Sequence, residues 1–229
     1  MNNIYVLSES DTIKLLEMEE VIEAVENVYR EKTLGSGKLF PMVFHEFESQ
    51  VADMDIKSGT LDDMGVYGLK LVSWFGENRK KNLPMLSGVV MLFDRETGIP
   101  LALINAEHMT GMRTGAAGAI GARYLARRDS QVMLMVGAGH QATYQIRAMQ
   151  TVFPALKKVM VFDPVNMDNA SVFVDNFGYK KENTQYIAVE NIEAAAGEAD
   201  IIVTATPSRK PMIMKEWVKP GTHFSCMGS

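Results

Sequence analysis

The chain has 229 residues, of which 47% are hydrophobic, so it can bury one large core or two ordinary ones, and this composition excludes a disordered chain. The net charge of -5 and the pI near 5.5 give no general attraction to nucleic acid or to an anionic membrane surface, which favours a small-molecule partner. The sequence has a single cysteine, Cys226, and it begins without the pattern of a secretory signal, which together predict a cytoplasmic protein. It also lacks an apolar run of about 20 residues, so no membrane span is predicted.

The first half is predicted to begin with one amphipathic helix and to continue as an antiparallel sheet. Apolar residues recur at helical spacing from Val21 to Val28, Ser10 is the expected cap of the preceding turn, and Gly35 to Gly37 end the helical segment. Short turns then separate five β-branched, aromatic and aliphatic runs, which favours antiparallel neighbours; the runs are FPMVFHEF, VADMDIKS, VYGLKLVSWF, MLSGVVMLFD and PLALINAE.

The segment MTGMRTGAAGAIGARYLARR has a helical pattern that is interrupted by glycines at Gly111, Gly115, Gly118 and Gly121. Each interior glycine costs about 1 kcal/mol of helix propensity relative to alanine, so the close approach of another group is expected to compensate. Two interpretations are open at this point. The helix is either buried and tightly packed, or it faces a ligand.

After Asp129 the pattern alternates between strand and helix, which predicts a parallel sheet covered by helices. The alternating segments are QVMLMVG, HQATYQIRAMQ, KKVMVFD, MDNASVFVDNFG, TQYIAV, NIEAAAGEA, DIIVTAT and THFSCMG. We therefore predict an α/β protein with an N-terminal α+β domain over residues 1–128 and a Rossmann-type dinucleotide-binding domain over residues 129–229.

The turn in MLMVGAGHQATYQIRAM has the spacing of a phosphate-binding loop, with alanine in the place of the third glycine. Gly137 permits the sharp turn, Gly139 lets a pyrophosphate approach the backbone, and Ala142 keeps the helix close to the sheet. The helix that begins near His140 and Gln141 offers free N–H groups to the anion, and both residues are included in the predicted cofactor site.

Asp163 ends the next apolar strand, VMVFD, close to the spacing at which an acidic residue meets the adenosine ribose. Its carboxylate would accept hydrogen bonds from the ribose hydroxyls and repel a 2′-phosphate. Since Pro164, Val165 and Asn166 supply no arginine for such a phosphate, the sequence predicts NAD rather than NADP as the cofactor. The alternative is that Asp163 is an ordinary turn residue before a proline.

The chain resembles the ornithine cyclodeaminase and mu-crystallin family over essentially all of its length. The most specific matches are GLKLVS around Lys70, the hairpin LFDRETGIPLAL, and the helix start MRTGAAG, followed by the glycine turn. The resemblance implies that the first domain binds the substrate and forms a homodimer or a higher homo-oligomer, and that the second binds NAD(P). Hydride transfer would then take place at a carbon that bears an amino group.

The resemblance also assigns residues. Lys70 and Arg113 match the basic residues that hold the substrate carboxylate, whereas Thr114 and Thr206 lie where the family contacts the cofactor. The chemistry of the two cations supports this assignment. Lys70 shares a strand face with the apolar Val72 and Trp74, where a lysine needs an anion, and the planar guanidinium of Arg113 can donate two hydrogen bonds to a carboxylate. The alternatives are that Lys70 forms a structural ion pair, and that Arg113 pairs with Glu107 or Asp94.

The sequence departs from the family pattern in three places, and the first two departures put the substrate in doubt. Met42 stands where the family often has an arginine, so one contact to the substrate carboxylate is either missing or supplied elsewhere, with Lys57 and Lys38 as candidates. Met85 replaces a threonine that is common in the family. In the family, the segment resembling THFSCMGS is followed directly by an acidic residue that acts on the substrate amine and then by helices that complete the substrate domain. This chain stops at Ser229, which indicates either a truncated chain or a product without that residue.

These features predict an NAD-dependent deaminase of the ornithine cyclodeaminase type, which converts ornithine to proline and ammonia through an imine. Two alternatives are an oxidoreductase like alanine dehydrogenase or a ketimine reductase, and a non-catalytic NAD(P)-binding protein like the crystallins of the family. No metal site is predicted, because His45, His108, His140 and His223 do not have metal-ligand spacing.

Overall fold

The computed structural model describes residues 3–208 and 210–227, which form two compact units. The first unit comprises the residues up to Glu17 together with Glu23–Thr110, and the second comprises Met18–Ile22 together with the residues from Gly111 onward. The predicted boundary between residues 128 and 129 differs from this division, because most of the glycine-rich helix belongs to the second unit.

The first unit contains a seven-stranded sheet with the order β1-β7-β6-β5-β4-β2, in which β3 also pairs with β4. The strands are β1 (Tyr5–Leu7), β2 (Gly37–Leu39), β3 (Val43–Glu48), β4 (Ala52–Leu61), β5 (Val66–Phe75), β6 (Leu86–Asp94) and β7 (Pro100–Asn105). The five predicted strands are confirmed as β3 to β7, and they pair with one another in antiparallel fashion. The short β1, which pairs parallel to β7, and β2 were not predicted.

The predicted N-terminal helix is two helices, α1 (Glu9–Leu15) and α2 (Met18–Leu34), because Leu16 and Glu17 have extended backbones. Ser8, not Ser10, caps α1: its hydroxyl accepts a hydrogen bond from the Asp11 N–H, and the Asp11 carboxylate accepts one from the Ser8 N–H. Gly35 ends α2 with a φ of 94°, as predicted. A 3-10 turn, Gly76–Lys81, joins β5 to β6.

The second unit has a parallel five-stranded sheet with the order β10-β9-β8-β11-β12, which confirms the predicted Rossmann-type topology. Its strands are β8 (Val132–Val136), β9 (Lys158–Phe162), β10 (Gln185–Ala188), β11 (Ile201–Thr204) and β12 (His223–Cys226). The connecting helices are α4 (His140–Val152), α5 (Met167–Asn176) and α6 (Ile192–Glu198), and a 3-10 turn lies at Lys215–Trp217. No helix in the described ranges is long and apolar enough to cross a membrane.

Helix α3 (Glu107–Leu125) explains the glycine pattern. A Cβ at Gly111 would lie 2.3 Å from the Tyr144 ring, and one at Gly115 would lie 2.5 Å from the carbonyl oxygen of Tyr144. A Cβ at Gly118 would lie 2.6 Å from Oε1 of Gln145. These three glycines therefore let α3 approach α4 more closely than alanine would allow, and the interpretation as a tightly packed helix is supported.

Asp200 joins several parts of the second unit at the start of β11. Its carboxylate lies 2.7 Å from Nη2 of Arg127 and 2.8 Å from Nζ of Lys219, and it accepts hydrogen bonds from the N–H groups of Gln131 and Val132. Burial raises the pKa of Asp200, but the hydrogen bonds from Lys219 and the two backbone groups, with the charge of Lys219, outweigh it, so the pKa lies below its usual value. The charged form thus stabilises the fold.

We expect Asp200→Asn to lower the free energy of unfolding by about 3 kcal/mol at pH 7, because two cations lose a nearly buried partner. A group with a lowered folded pKa stabilises above its unfolded pKa and loses this effect as the pH falls through the folded value. The difference between wild type and variant should therefore shrink below the ordinary carboxyl pKa of about 3.9. Urea unfolding followed by circular dichroism at several pH values measures it.

Asp129→Asn is the matched control, because that carboxylate is 82% exposed and lies 3.6 Å from Nε of the same Arg127. An exposed pair contributes little, so its stability should stay close to that of wild type. Equal losses in the two variants, or a difference that does not depend on pH, would contradict the role assigned to Asp200.

Candidate dinucleotide site and substrate cations

The glycine turn lies where the strand order of the second sheet reverses, between β8 and β11. Gly137 follows β8 with a φ of 103°, and its N–H donates to the carbonyl of Phe162 at 2.7 Å. A Cβ at Gly137 would lie 2.5 Å from the carbonyl oxygen of Ala205 and 2.9 Å from Cγ2 of Thr206. The structure thus brings Thr206 beside the turn, at the place where open α/β sheets bind ligands.

Gly139 is the residue before α4, and the space beside it is open. It has an extended backbone, it is exposed, and a Cβ built on it would have no atom within 4 Å. The first turn of α4 has N–H groups without partners in the helix, and they point towards the preceding loop. A phosphate group fits this arrangement, so the residues present are compatible with a dinucleotide.

The neighbouring predicted residues have different surroundings. His140 is exposed, and its ring lies 5.1 Å from the ring of Tyr144, whereas Ala142 lies on the buried face of α4. Gln141 is partly buried, and its Oε1 atom has no hydrogen-bond partner in the described part of the chain. Of the three, His140 presents its side chain to solvent at the start of α4.

Asp163 follows β9 and connects that strand to the glycine turn. Oδ2 accepts a hydrogen bond from the Ala138 N–H at 3.1 Å, and Oδ1 accepts bonds from Nδ2 of Asn169 and from the N–H groups of Val165 and Asn166. Burial raises the pKa of Asp163, but these four donors lower it by more, so the carboxyl pKa is below its usual value. Asp163 is therefore charged at neutral pH and organises the turn.

Thr114 and Arg113 lie on α3, in the same unit as the glycine turn. Arg113 is exposed and Thr114 is buried. Nε2 of the fully buried Gln145, on α4, donates to the Thr114 carbonyl at 3.1 Å and so links α3 to the helix that follows the glycine turn. Gln145 has no signal in the sequence, because a contact between residues 31 positions apart leaves no local pattern.

Lys70 and Lys57 lie in the first unit and are direct partners across β5 and β4. Their side chains therefore project from the same face of the sheet, and both line one cavity of about 390 Å³. Nζ of Lys57 is 2.7 Å from a carboxylate oxygen of Asp55. Lys38, the other suggested replacement for the missing arginine, is 3.8 Å from Asp62. The structure thus places Lys57, but not Lys38, directly opposite Lys70.

Comparisons with known proteins give a consistent assignment. Residues 2–229 match the family model described as "Ornithine cyclodeaminase/mu-crystallin family". An alanine dehydrogenase of Archaeoglobus fulgidus is 37% identical over 98% of this chain and 66% of its own length. A Δ1-pyrroline-2-carboxylate reductase of Thermococcus litoralis, solved with NADH and L-proline, superposes with a TM-score of 0.92 at 36% identity, over 98% of this chain and 69% of that one.

An archaeal alanine dehydrogenase dimer with bound NAD superposes with a TM-score of 0.86 at 36% identity, over 96% of this chain and 66% of that chain. This chain therefore spans about two thirds of the length of the relatives that it matches. The resemblance seen in the motifs around Lys70, the hairpin and the glycine turn is confirmed, and the chain belongs to the ornithine cyclodeaminase/mu-crystallin family.

Proposed function

We propose that the protein is an NAD-dependent oxidoreductase that acts on the carbon–nitrogen bond of an amino or imino acid. The observation that supports this most directly is the turn at Gly137 and Gly139, which is placed at the switch point of the sheet with open space before α4. NAD was the expected cofactor, and both solved relatives described above hold NAD or NADH.

Bound NAD would supply hydride transfer to or from the carbon that bears the nitrogen. The turn at Gly137 and Gly139, with the N–H groups of α4 and the side chains of His140 and Gln141 near them, would bind the pyrophosphate, and Asp163 would hold the ribose. Thr114 and Thr206 would contact the cofactor. Lys70 and Arg113 would bind the substrate carboxylate and so fix the position of the reacting carbon.

Among the reactions open to this family, a net oxidation or reduction has the most support, since the relatives are an alanine dehydrogenase and a pyrroline-2-carboxylate reductase. In the oxidative direction, an amino acid loses hydride to NAD and a proton to solvent, and water converts the imine to an oxo acid and ammonia. Cyclodeamination of ornithine stays a prediction, as does the non-catalytic alternative.

The direct test is to follow NADH absorbance when the protein and NAD are mixed with L-amino acids, with ammonia measured in parallel. A dehydrogenase produces NADH and ammonia in equal amounts, whereas a cyclodeaminase releases ammonia without net NADH. The reductive direction is tested with oxo acids, ammonia and NADH. If neither channel responds while NADH still binds, catalysis by this chain is excluded and the binding role remains.

We expect Asp163→Asn to weaken NADH binding about tenfold and to raise the affinity for NADPH relative to NADH. The carboxylate accepts stronger hydrogen bonds from ribose hydroxyls than a neutral amide does, and only the carboxylate repels a 2′-phosphate. Titrations followed by nucleotide fluorescence give both affinities. Asp168→Asn, a change of the same charge on α5, is the control. An unchanged ratio of the two affinities would show that Asp163 is only a turn residue.

We propose that the protein forms a dimer through β3. All six residues of this strand are exposed, including Val43, Phe44 and Phe47, and in the described sheet β3 pairs only with β4. Exposed apolar residues on an edge strand favour association. Light scattering should therefore give twice the chain mass, and Phe47→Asp should shift it towards the monomer. A wild-type monomer would contradict this interface.

A further inference from the structure

Gln145 is a fully buried polar side chain at the contact between α3 and α4. Its Nε2 atom donates a hydrogen bond to the Thr114 carbonyl of α3 at 3.1 Å. Its Oε1 atom is buried as well, and it has no hydrogen-bond partner in the described part of the chain. One half of the amide is therefore paired with α3, and the other half is not.

This arrangement costs stability. A buried polar atom without a partner has lost its hydrogen bonds to water and gained none in return. The Thr114 carbonyl lies inside α3, where the N–H four residues later is its regular partner, so this carbonyl does not need Gln145. Methionine would fill a similar volume without an unpaired oxygen. Stability alone thus favours an apolar residue at position 145, and the amide indicates another role.

The packing of α3 is adapted to the amide. A Cβ at Gly118 would lie 2.6 Å from Oε1 of Gln145, so a glycine is needed to leave space for this atom. An interior glycine also lowers helix propensity relative to alanine. Two residues that are each unfavourable for stability, Gly118 and Gln145, are therefore matched to each other across the contact.

The contact joins two helices of the proposed cofactor site, and both partners of the hydrogen bond belong to the second unit. α4 begins directly after Gly139, so its position determines where its first N–H groups lie. α3 contains Thr114, the proposed cofactor contact. A hydrogen bond depends on direction and distance, whereas apolar burial is non-directional. The bond from Gln145 thus specifies one register of α3 along α4.

We propose that Gln145 is a positioning residue that holds α3 in register with α4 and so fixes Thr114 relative to the turn of Gly137 and Gly139. The inference rests on the proposed function for the cofactor contacts of Thr114 and of this turn. It goes further by assigning an effect on nucleotide affinity to a buried residue that binds through its neighbours.

Gln145→Met removes the hydrogen bond and keeps the approximate size of the side chain. We expect NADH affinity to fall at least about fivefold, which corresponds to one lost hydrogen bond, in fluorescence titrations. The midpoint of urea unfolding should stay at or above that of wild type, because the unpaired oxygen is removed too. An unchanged NADH affinity would overturn the proposal.

Gln150→Met is the matched control on the same helix. Gln150 is 2% exposed, and its Nε2 atom donates to the hydroxyl of Tyr186. This variant should lose stability and bind NADH like wild type. If Gln145→Met shows that same pattern, Gln145 has only a structural role.

Gly118→Ala tests the register while the amide stays in place. Its methyl group would displace Oε1, the mobile end of the Gln145 side chain, and should weaken NADH binding about as much as Gln145→Met. Gly121→Ala adds the same group to α3 where no atom lies within 4 Å of the new Cβ, and it should keep the wild-type affinity. Equal NADH affinities of the two alanine variants would contradict the proposal, even if Gln145→Met fails to fold.

Turnover by the wild type separates this inference from the proposed function. If an amino acid is oxidised with NAD but the two pairs of variants do not differ in NADH affinity, the proposed function stands and the role of Gln145 is overturned. If Gln145→Met and Gly118→Ala weaken NADH binding but no amino acid is oxidised and no oxo acid reduced, the role of Gln145 stands and the proposed function fails. A wild type that does not bind NADH would overturn both.

Discussion

Replacing Gly137 with alanine should remove measurable NADH binding and lower the free energy of unfolding by about 3 kcal/mol. The backbone at Gly137 has a φ of 103°, which is strained for any residue with a Cβ, and the new Cβ would lie 2.5 Å from the carbonyl oxygen of Ala205. Neither atom can move without shifting the turn or the end of β11, and the phosphate-binding geometry depends on both. Fluorescence titration with NADH and urea unfolding measure the two effects.

Gly139→Ala separates binding from stability. A Cβ at Gly139 has no neighbour within 4 Å, and the backbone there is extended, so alanine should leave the stability within about 0.5 kcal/mol of wild type. The same methyl group would occupy the space that the pyrophosphate is proposed to enter, and NADH affinity should fall at least tenfold. Wild-type affinity in Gly139→Ala would place the phosphates elsewhere.

The second unit was predicted more completely than the first because its signals are local in sequence. Apolar strands that run directly into a glycine turn and a helix fix both the fold type and the positions of Gly137 and Asp163. The first unit combines neighbouring hairpins, which the short turns revealed, with β1, which pairs with β7 across about 97 residues of chain. Such a long-range pairing of three residues leaves no periodic pattern, so it was missed.

The boundary between the two units depends on packing, which the sequence does not show directly. Composition changes at Asp129, where the alternation of strands and helices begins, and this change predicts a boundary at residue 128. Packing instead assigns α3 to the second unit from Gly111 onward, because its glycines meet Tyr144 and Gln145. The sequence indicated that the glycines needed a close neighbour, but it could not identify that neighbour. The same applies to Gln145, whose partner is a backbone carbonyl and so has no residue type to recognise.

Among the residues proposed to bind the substrate, Lys70 should have the largest effect on turnover. We expect Lys70→Met to lower kcat/KM for the best amino acid at least a hundredfold and to leave NADH affinity within about twofold of wild type. Methionine keeps the apolar stem of lysine but removes the charge that would hold the substrate carboxylate, and a charge-assisted contact contributes about 3 kcal/mol. Because the pyrophosphate is proposed to bind at the turn of Gly137 and Gly139, nucleotide affinity should not depend on the charge of Lys70.

Lys57→Met is the matched comparison, since it removes the same charge from the directly opposite position on β4. Its loss in kcat/KM should be less than tenfold, because the Lys57 charge is already offset by Asp55 at 2.7 Å. The ratio of the two losses therefore measures which lysine holds the carboxylate. Larger damage from Lys57→Met would transfer that role to Lys57, as the replacement for the arginine absent at Met42, and equal small losses would leave Arg113 as the main carboxylate contact.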